Sequence, residues 1–276
     1  MANPTCNKLG KIYILRRNMS INRQNTGDPD LAKARVVGQT EICEPYKTAQ
    51  HSHRRHQLIY ATRGVVHMVT AVGEWVLPPS RALWICGGTE HSLTVKRPAE
   101  INILYIDPVI YPFKSFAQCC VVEVTPLVRE LISACALLLW DYQAGSPEFR
   151  LSEVLIDQIK QLELAPLDLN LPQDERALRV VELLKRDPGN RKPLTELARE
   201  AGASARTIER LFSKETHLSF GAWRHHHRML FAVERLAYGE NVTRVALEAG
   251  YESSSSFIAA FRAVFGTTPS RYFVVN

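Results

Sequence analysis

The chain has 276 residues, of which 46% are hydrophobic and 22% charged, with a formal net charge of +6. This is a globular composition with room for two ordinary domains, and no apolar run approaches the roughly 18 residues that span a bilayer. Disordered, fibrous and membrane-spanning classes are excluded on those grounds. The basic balance suits DNA but also many enzymes. It is not concentrated at one end, since 11 Lys and Arg face 8 Asp and Glu between Lys192 and Asn276.

Residues 1–32 read as a disordered extension. Its short apolar stretch is closed by Arg16 and Arg17 with no small-residue cleavage site, so it does not read as a secretory signal. The six cysteines lack a disulfide-framework spacing and fit free thiols in a reducing cytoplasm. Residues 33–112 read as β-structure. Short runs rich in Val, Ile, Leu and aromatics (57–60, 65–71, 74–77, 82–85 and 101–106) are separated by Gly64, Gly73, Pro78, Pro79, Gly87, Gly88 and Pro98, a pattern that predicts a small barrel or sandwich. From 113 to 172 the pattern turns helical. Thr125 caps a helix with Pro126 in its first position, running to Trp140, and a second helix spans 147–163. Their apolar content exceeds a linker's needs, which makes this segment the expected homodimer contact, with 165–172 as linker. Residues 173–276 predict helices over 174–186, 195–201, 204–214, 219–238, 242–249 and 253–265. The fold class is therefore α+β multidomain: a β-barrel, a helical connector and an all-α domain.

The all-α segment contains an internal repeat. Leu197-Ala-Arg-Glu-Ala-Gly-Ala-Ser204, followed by Ile208, Leu211 and Phe212, returns as Val245-Ala-Leu-Glu-Ala-Gly-Tyr-Glu-Ser253, followed by Phe257, Ala260 and Phe261. The offset is 48 residues before the turn and 49 after it. Gly202 and Gly250 stand where the chain leaves a helix and φ > 0 is commonly required. Ser204 and Ser253 are positioned to cap the next helix, and the following apolar residues form a buried stripe. Helix, Gly turn and capped helix make a helix-turn-helix unit, whose second helix can enter a major groove. One copy would also fit an ordinary helical hairpin. Two copies joined by a 20-residue helix, about 30 Å long, match the ~34 Å between successive major-groove faces.

With these motifs in view, residues 194–273 resemble the AraC/XylS regulators, through the runs Ala-Gly-Ala-Ser-Ala-Arg-Thr-Ile-Glu-Arg-Leu-Phe, Ala-Gly-Tyr-Glu-Ser and Phe-Gly-Thr-Thr-Pro-Ser-Arg-Tyr-Phe. The resemblance implies a sequence-specific regulator of transcription that binds double-stranded DNA, responds to an effector, and contacts RNA polymerase if it activates. It implies base reading by Arg206, Glu209 and Arg210, since Arg pairs with guanine and Glu accepts from cytosine N4; the alternative is a solvated face. At the matching positions the second recognition helix offers Ser254, Ser255 and Ala259. Such short side chains suit affinity more than specificity. Phosphate contacts are expected from Thr207, Ser256, His227, Arg228 and Arg262. His225, His226 and His227 point about 100° apart on a helix and cannot share a metal.

His51, His53 and Gln57 share strand parity while His56 opposes them. A later strand supplies His91, within a run (82–91) that resembles the second cupin motif. This resemblance implies a barrel interior with a divalent metal at His51, His53, His91 and, more weakly, Gln57. Gln57 stands where cupin enzymes favour Glu, and Cys86 and Gly87 replace usual prolines. A metal-free effector pocket and structural histidines remain alternatives. The competing function class is a metal-dependent cupin enzyme with an accessory helical domain; the tandem repeat favours a non-enzymatic regulator.

Overall fold

The computed structural model describes residues 19–21, 27–70, 73–79, 81–113, 116, 118–165 and 169–273. Most of the expected N-terminal extension lies outside them. Of that extension, Met19–Ile21 (β1) pairs with Val36–Cys43 (β2), and Pro29–Leu31 forms a 3-10 turn capped by Asp28.

The remaining strands are Tyr46–Lys47 (β3), His56–Arg63 (β4), Val66–Thr70 (β5), Glu74–Leu77 (β6), Arg81–Ile85 (β7), His91–Val95 (β8), Ala99–Ile106 (β9) and Cys120–Glu123 (β10). They form a six-stranded sheet in the order β1-β2-β9-β4-β7-β10 and a four-stranded sheet in the order β3-β8-β5-β6, all pairs antiparallel. One core lies between the sheets, where Ile59, Leu83 and Ile103 meet Met68, Trp75 and Leu93. The other face of the larger sheet is covered by Pro126–Ala136 (α1) and Pro147–Ile159 (α2), whose Val128, Ile132, Leu155 and Ile156 pack on Leu58, Trp84 and Leu104. This explains the unbroken apolar run at 82–85: β7 is buried on both faces.

Three boundaries differ from the sequence expectation, one of them the end of α2, which stops at Ile159 rather than at 163. The sheet continues past 112, because β10 pairs with β7 through Cys120–Trp84 and Val121–Leu83. The helical segment therefore belongs to the body of the β-domain rather than forming a separate connector. Helix α1 stops at Ala136 instead of Trp140, whose indole N–H donates to Gly38 O at 2.8 Å and whose carbonyl accepts from Ala34 N.

The C-terminal domain comprises Glu175–Arg186 (α3), Leu194–Glu200 (α4), Ala205–Thr216 (α5), Phe220–Ala237 (α6), Val242–Glu248 (α7), Ser254–Phe265 (α8) and a short Pro269–Tyr272 (α9) that the pattern did not reveal. They share one core around Trp223, Phe212, Met229, Phe257 and Phe261. With 18 residues, α6 is about 27 Å long.

Candidate nucleic-acid interface and sensor site

In the first unit, Gly202 takes φ +74° between α4 and α5. The Ser204 side chain accepts from Thr207 N at 3.1 Å, and Ile208, Leu211 and Phe212 are buried. Burying that stripe turns Arg206 and Arg210 outward, where both are exposed. The Thr207 hydroxyl shares a 2.9 Å hydrogen bond with Ser204 Oγ. Glu209 does something the sequence did not suggest. Its Oε1 accepts from Phe220 N at 3.2 Å, tying α5 to the start of α6, so one carboxylate oxygen is engaged inside the domain.

The second unit repeats this backbone. Gly250 has φ +83°, and Ser253 accepts from Ser256 N at 3.1 Å. Phe257 and Phe261 are buried, while Ser255, Ser256, Ala259 and Arg262 are exposed and Ser254 half-buried. The Ser256 hydroxyl also donates to Ser253 O at 2.9 Å. The units differ at their turns. A Cβ at Gly202 would meet only Arg179 Nη2 at 4.0 Å, whereas one at Gly250 would lie 2.6 Å from Gly189 O.

Two expected phosphate contacts on α6 are corrected by its packing. His227 stacks on Trp223, ring centroids 5.4 Å apart and planes 12° from parallel. It lines a cleft of about 590 Å³ between the domains. Burial, with the charges of Lys185 and Arg228 adding, brings its pKa down to about 4. It is neutral at pH 7 and faces the β-domain, which removes the phosphate contact expected of it. Arg228 donates to Asn190 O at 2.5 Å and Arg224 to Lys192 O at 2.8 Å, so both brace α6 against the loop joining α3 to α4. His225 turns elsewhere, its Nδ1 lying 3.3 Å from the Tyr251 hydroxyl.

In the sensor, His51 and His53 precede β4 instead of lying on it, so strand parity is not what gathers them. An isolated bridge pairs His51 with His91, through N–H to O bonds of 2.8 and 3.0 Å. The ring centroids of His51 and His91 are 4.5 Å apart, those of His53 and His91 5.1 Å, and those of His51 and His53 6.3 Å. His56 points to the opposite face as expected, packing on Trp84 and Phe113.

All three clustered rings are anchored alike. Nδ1 lies 3.0 Å from Ala49 O in His51, 2.7 Å from Arg55 O in His53 and 2.9 Å from Thr89 O in His91. A carbonyl only accepts, so Nδ1 carries the proton, and a neutral ring then keeps its lone pair on Nε2. Burial lowers the pKa of His53, and lowers that of His91 to about 4, keeping both neutral. His91 Nε2 is buried without a partner, and His53 Nε2 lies 3.2 Å from the Gln57 Oε1 position, where the amide can instead present its nitrogen. The Nε2 lone pairs left on His51 and His91 are chemically suited to a divalent ion. Among the described residues, however, no group of three or more His, Cys, Asp or Glu side chains is arranged to hold one.

The residues that join the two domains were not legible in the sequence. Glu234 on α6 takes His67 Nε2 at 3.0 Å and Lys96 Nζ at 3.1 Å, and Lys185 on α3 reaches Glu74 at 2.7 Å. Burial alone would raise the Glu234 carboxyl pKa; its bond to His67 and the nearby Lys96 charge bring it below the usual range. A further chain of charges runs from Arg97 to Glu240 at 3.4 Å, to Arg235 at 2.9 Å, and to Glu248 of α7 at 3.0 Å.

Two capped Gly-turn units, each presenting its second helix outward and joined by one long helix, define a DNA-binding protein. Comparison with known proteins agrees. Residues 36–159 match the AraC-like ligand binding domain and residues 197–273 the helix-turn-helix domain. Over 236 residues the chain is 34% identical to the HTH-type transcriptional regulator NimR of Escherichia coli, covering 86% of this chain and 84% of that one. It is 37% identical over 102 residues to the HTH-type transcriptional regulator RipA of Corynebacterium glutamicum, covering 37% of this chain and 31% of that one. The solved structure of ToxT from Vibrio cholerae aligns over 87% of this chain and 98% of its own, at 12% identity and a TM-score of 0.37. The chain belongs to the AraC-type family of transcriptional regulators, with an N-terminal ligand-binding domain and a C-terminal helix-turn-helix domain. No described helix is long and apolar enough to cross a membrane.

Proposed function

We propose that the chain is a one-component regulator, without enzymatic activity, in which a small polar effector bound at His51, His53 and His91 alters how α5 and α8 engage an operator. The observation that carries this is the common anchoring of the three rings by Nδ1. It leaves lone pairs on Nε2, one of them buried and unpartnered. Such a site accepts hydrogen bonds, so the effector is a molecule rich in N–H or O–H donors. A divalent ion is a second reading, favoured by the same lone pairs. The ion-pair chain from Arg97 to α7 and the Glu234 cluster give the effector a route to the DNA-binding domain, because they are contacts that a shift of the small sheet would remake.

On DNA, Arg206 and Arg210 are the base-reading side chains of the first unit, suited to guanine O6 and N7. Thr207, Ser256 and Arg262 fit phosphate. A second copy is expected to pack on the outer face of α1 and α2, where Leu127 and Val154 are 54% and 48% exposed; RNA polymerase is the further partner if the regulator activates. The test is operator binding by the full chain, followed by fluorescence anisotropy, with a small-molecule library and a divalent-ion series as additives. An additive should change affinity in the wild type and lose its effect in His91→Ala, while basal operator affinity stays. No additive effect, or an undiminished one in His91→Ala, would remove the sensor assignment.

A further inference from the structure

The two recognition helices carry opposite chemistry at equivalent positions. Counting 49 residues on from the first unit, Arg206, Glu209, Arg210 and Lys214 are replaced by Ser255, Ile258, Ala259 and Ala263. Around these residues α8 forms a shallow groove of about 680 Å³, lined by Ser255, Ile258, Ala259, Arg262, Ala263 and Thr268. Ser255, Ala259 and Ala263 are exposed on the side of α8 opposite Phe257 and Phe261, and Ile258 is half-buried at its flank, packed partly against the core.

We infer that α8 reads thymine, taking the C5-methyl groups of one or more T·A pairs against Ala259, Ala263 and the edge of Ile258. The inference rests on the DNA-binding reading of both units. Methyl and methylene surface offers nothing to the acceptors of guanine or the donor of cytosine. Pressed on any pair, it leaves polar edge groups without water, but only a T·A pair offers it a methyl in return. The thymine methyl is the one major-groove feature that apolar side chains recognise. Short side chains also let the helix axis lie closer to the base edges than the long arginines of α5 allow. Arg262 lies on the rim of the groove, positioned for a phosphate, so the helix is held in register while the methyls discriminate. The serine-rich second helix is thus a reader in its own right rather than only a backbone grip.

The experiment begins with operators selected by the full chain from random-sequence DNA and footprinted to assign each half-site. Uracil then replaces thymine, one position at a time, which removes only the methyl group. Under α8, each contacted thymine should lose roughly three- to fivefold in affinity, the scale of one buried methyl. Under α5, the same replacement should change nothing. In a repeated selection, Ala259→Gln should shift one preferred pair from T·A to A·T, since an amide pairs with adenine N6 and N7. A merely structural effect of that substitution would weaken binding without creating a new preference. A clear sequence requirement under α5 with uracil tolerated everywhere under α8 would overturn this inference alone. No enriched sequence at all would overturn the DNA-reading assignment and this inference with it.

Discussion

The two helix-turn-helix units share a backbone and differ in almost everything that meets solvent. Both leave the first helix through a glycine at φ +74° or +83°, and both cap the second with a serine. Outward, α5 presents two exposed arginines and α8 a patch of hydroxyl and methyl groups. The comparison separates two kinds of constraint. Turn, cap and apolar stripe are demanded by the fold, so they repeat; the outer face is demanded by the ligand, so it diverges.

The largest difference should come from the turns themselves. Gly250→Val forces a branched side chain into the left-handed region and against Gly189 O. Its expected cost exceeds about 3 kcal/mol, against roughly 1–2 kcal/mol for Gly202→Ala, which meets only the conformational penalty. Urea denaturation of both variants measures this, and equal costs would erase the asymmetry. Next is Arg210→Ala, expected to cost about 1–3 kcal/mol of operator affinity and to relax one base position. A base-preference profile left unchanged by that substitution would take Arg210 out of the reading role.

The caps test sameness instead. Ser204→Ala and Ser253→Ala should each lower stability by about 1 kcal/mol, and a clear inequality in thermal unfolding would mean the two units are not equivalent helical starts. Glu209→Gln is smaller again. It weakens a charge-assisted bond to Phe220 N, costs up to about 1 kcal/mol in stability, and should leave the base-preference profile alone. A changed profile would restore Glu209 as a reader. A separate test concerns the helix between the units. Burial lowers the His227 pKa from 6.5 in the reference state to about 4, so the unfolded chain binds more protons between those values. The associated stability is present above the unfolded pKa and is lost as pH falls toward the folded one. His227→Phe should flatten that loss between pH 7 and pH 5 in urea midpoints; an unaltered slope would contradict the buried, neutral assignment.

Local chemistry explains how much of this was legible in advance. The glycine turns, serine caps and buried stripes lie within a dozen residues of one another, and all were readable, as was Thr125 opening α1. What depends on distant partners was not. Four residues at β10 are too short to announce a strand until β7 pairs with them. His227 and Arg228 look like cations facing DNA until α6 is seen packed on Lys185 and Asn190. Strand parity groups His51 with His53, yet neither lies on β4: a bridge brings His51 to His91, and the His53 ring lies 5.1 Å from that of His91. The contacts of Glu234 and Arg97 span more than a hundred residues of chain, and nothing local marks them.

The contact between Gly189 and Gly250 bears on the grammar of the operator. The loop leading into the first unit touches the turn of the second so closely that neither glycine has room for a methyl group, and Arg191 reaches Glu252 across the same seam at 3.7 Å. The two recognition helices are therefore geared to a single phase. Each base pair inserted between half-sites turns the second by roughly 34–36° and moves it about 3.4 Å along the axis. A chain jointed in this way has little play to follow. Its binding sites should tolerate changes of letter far better than changes of length.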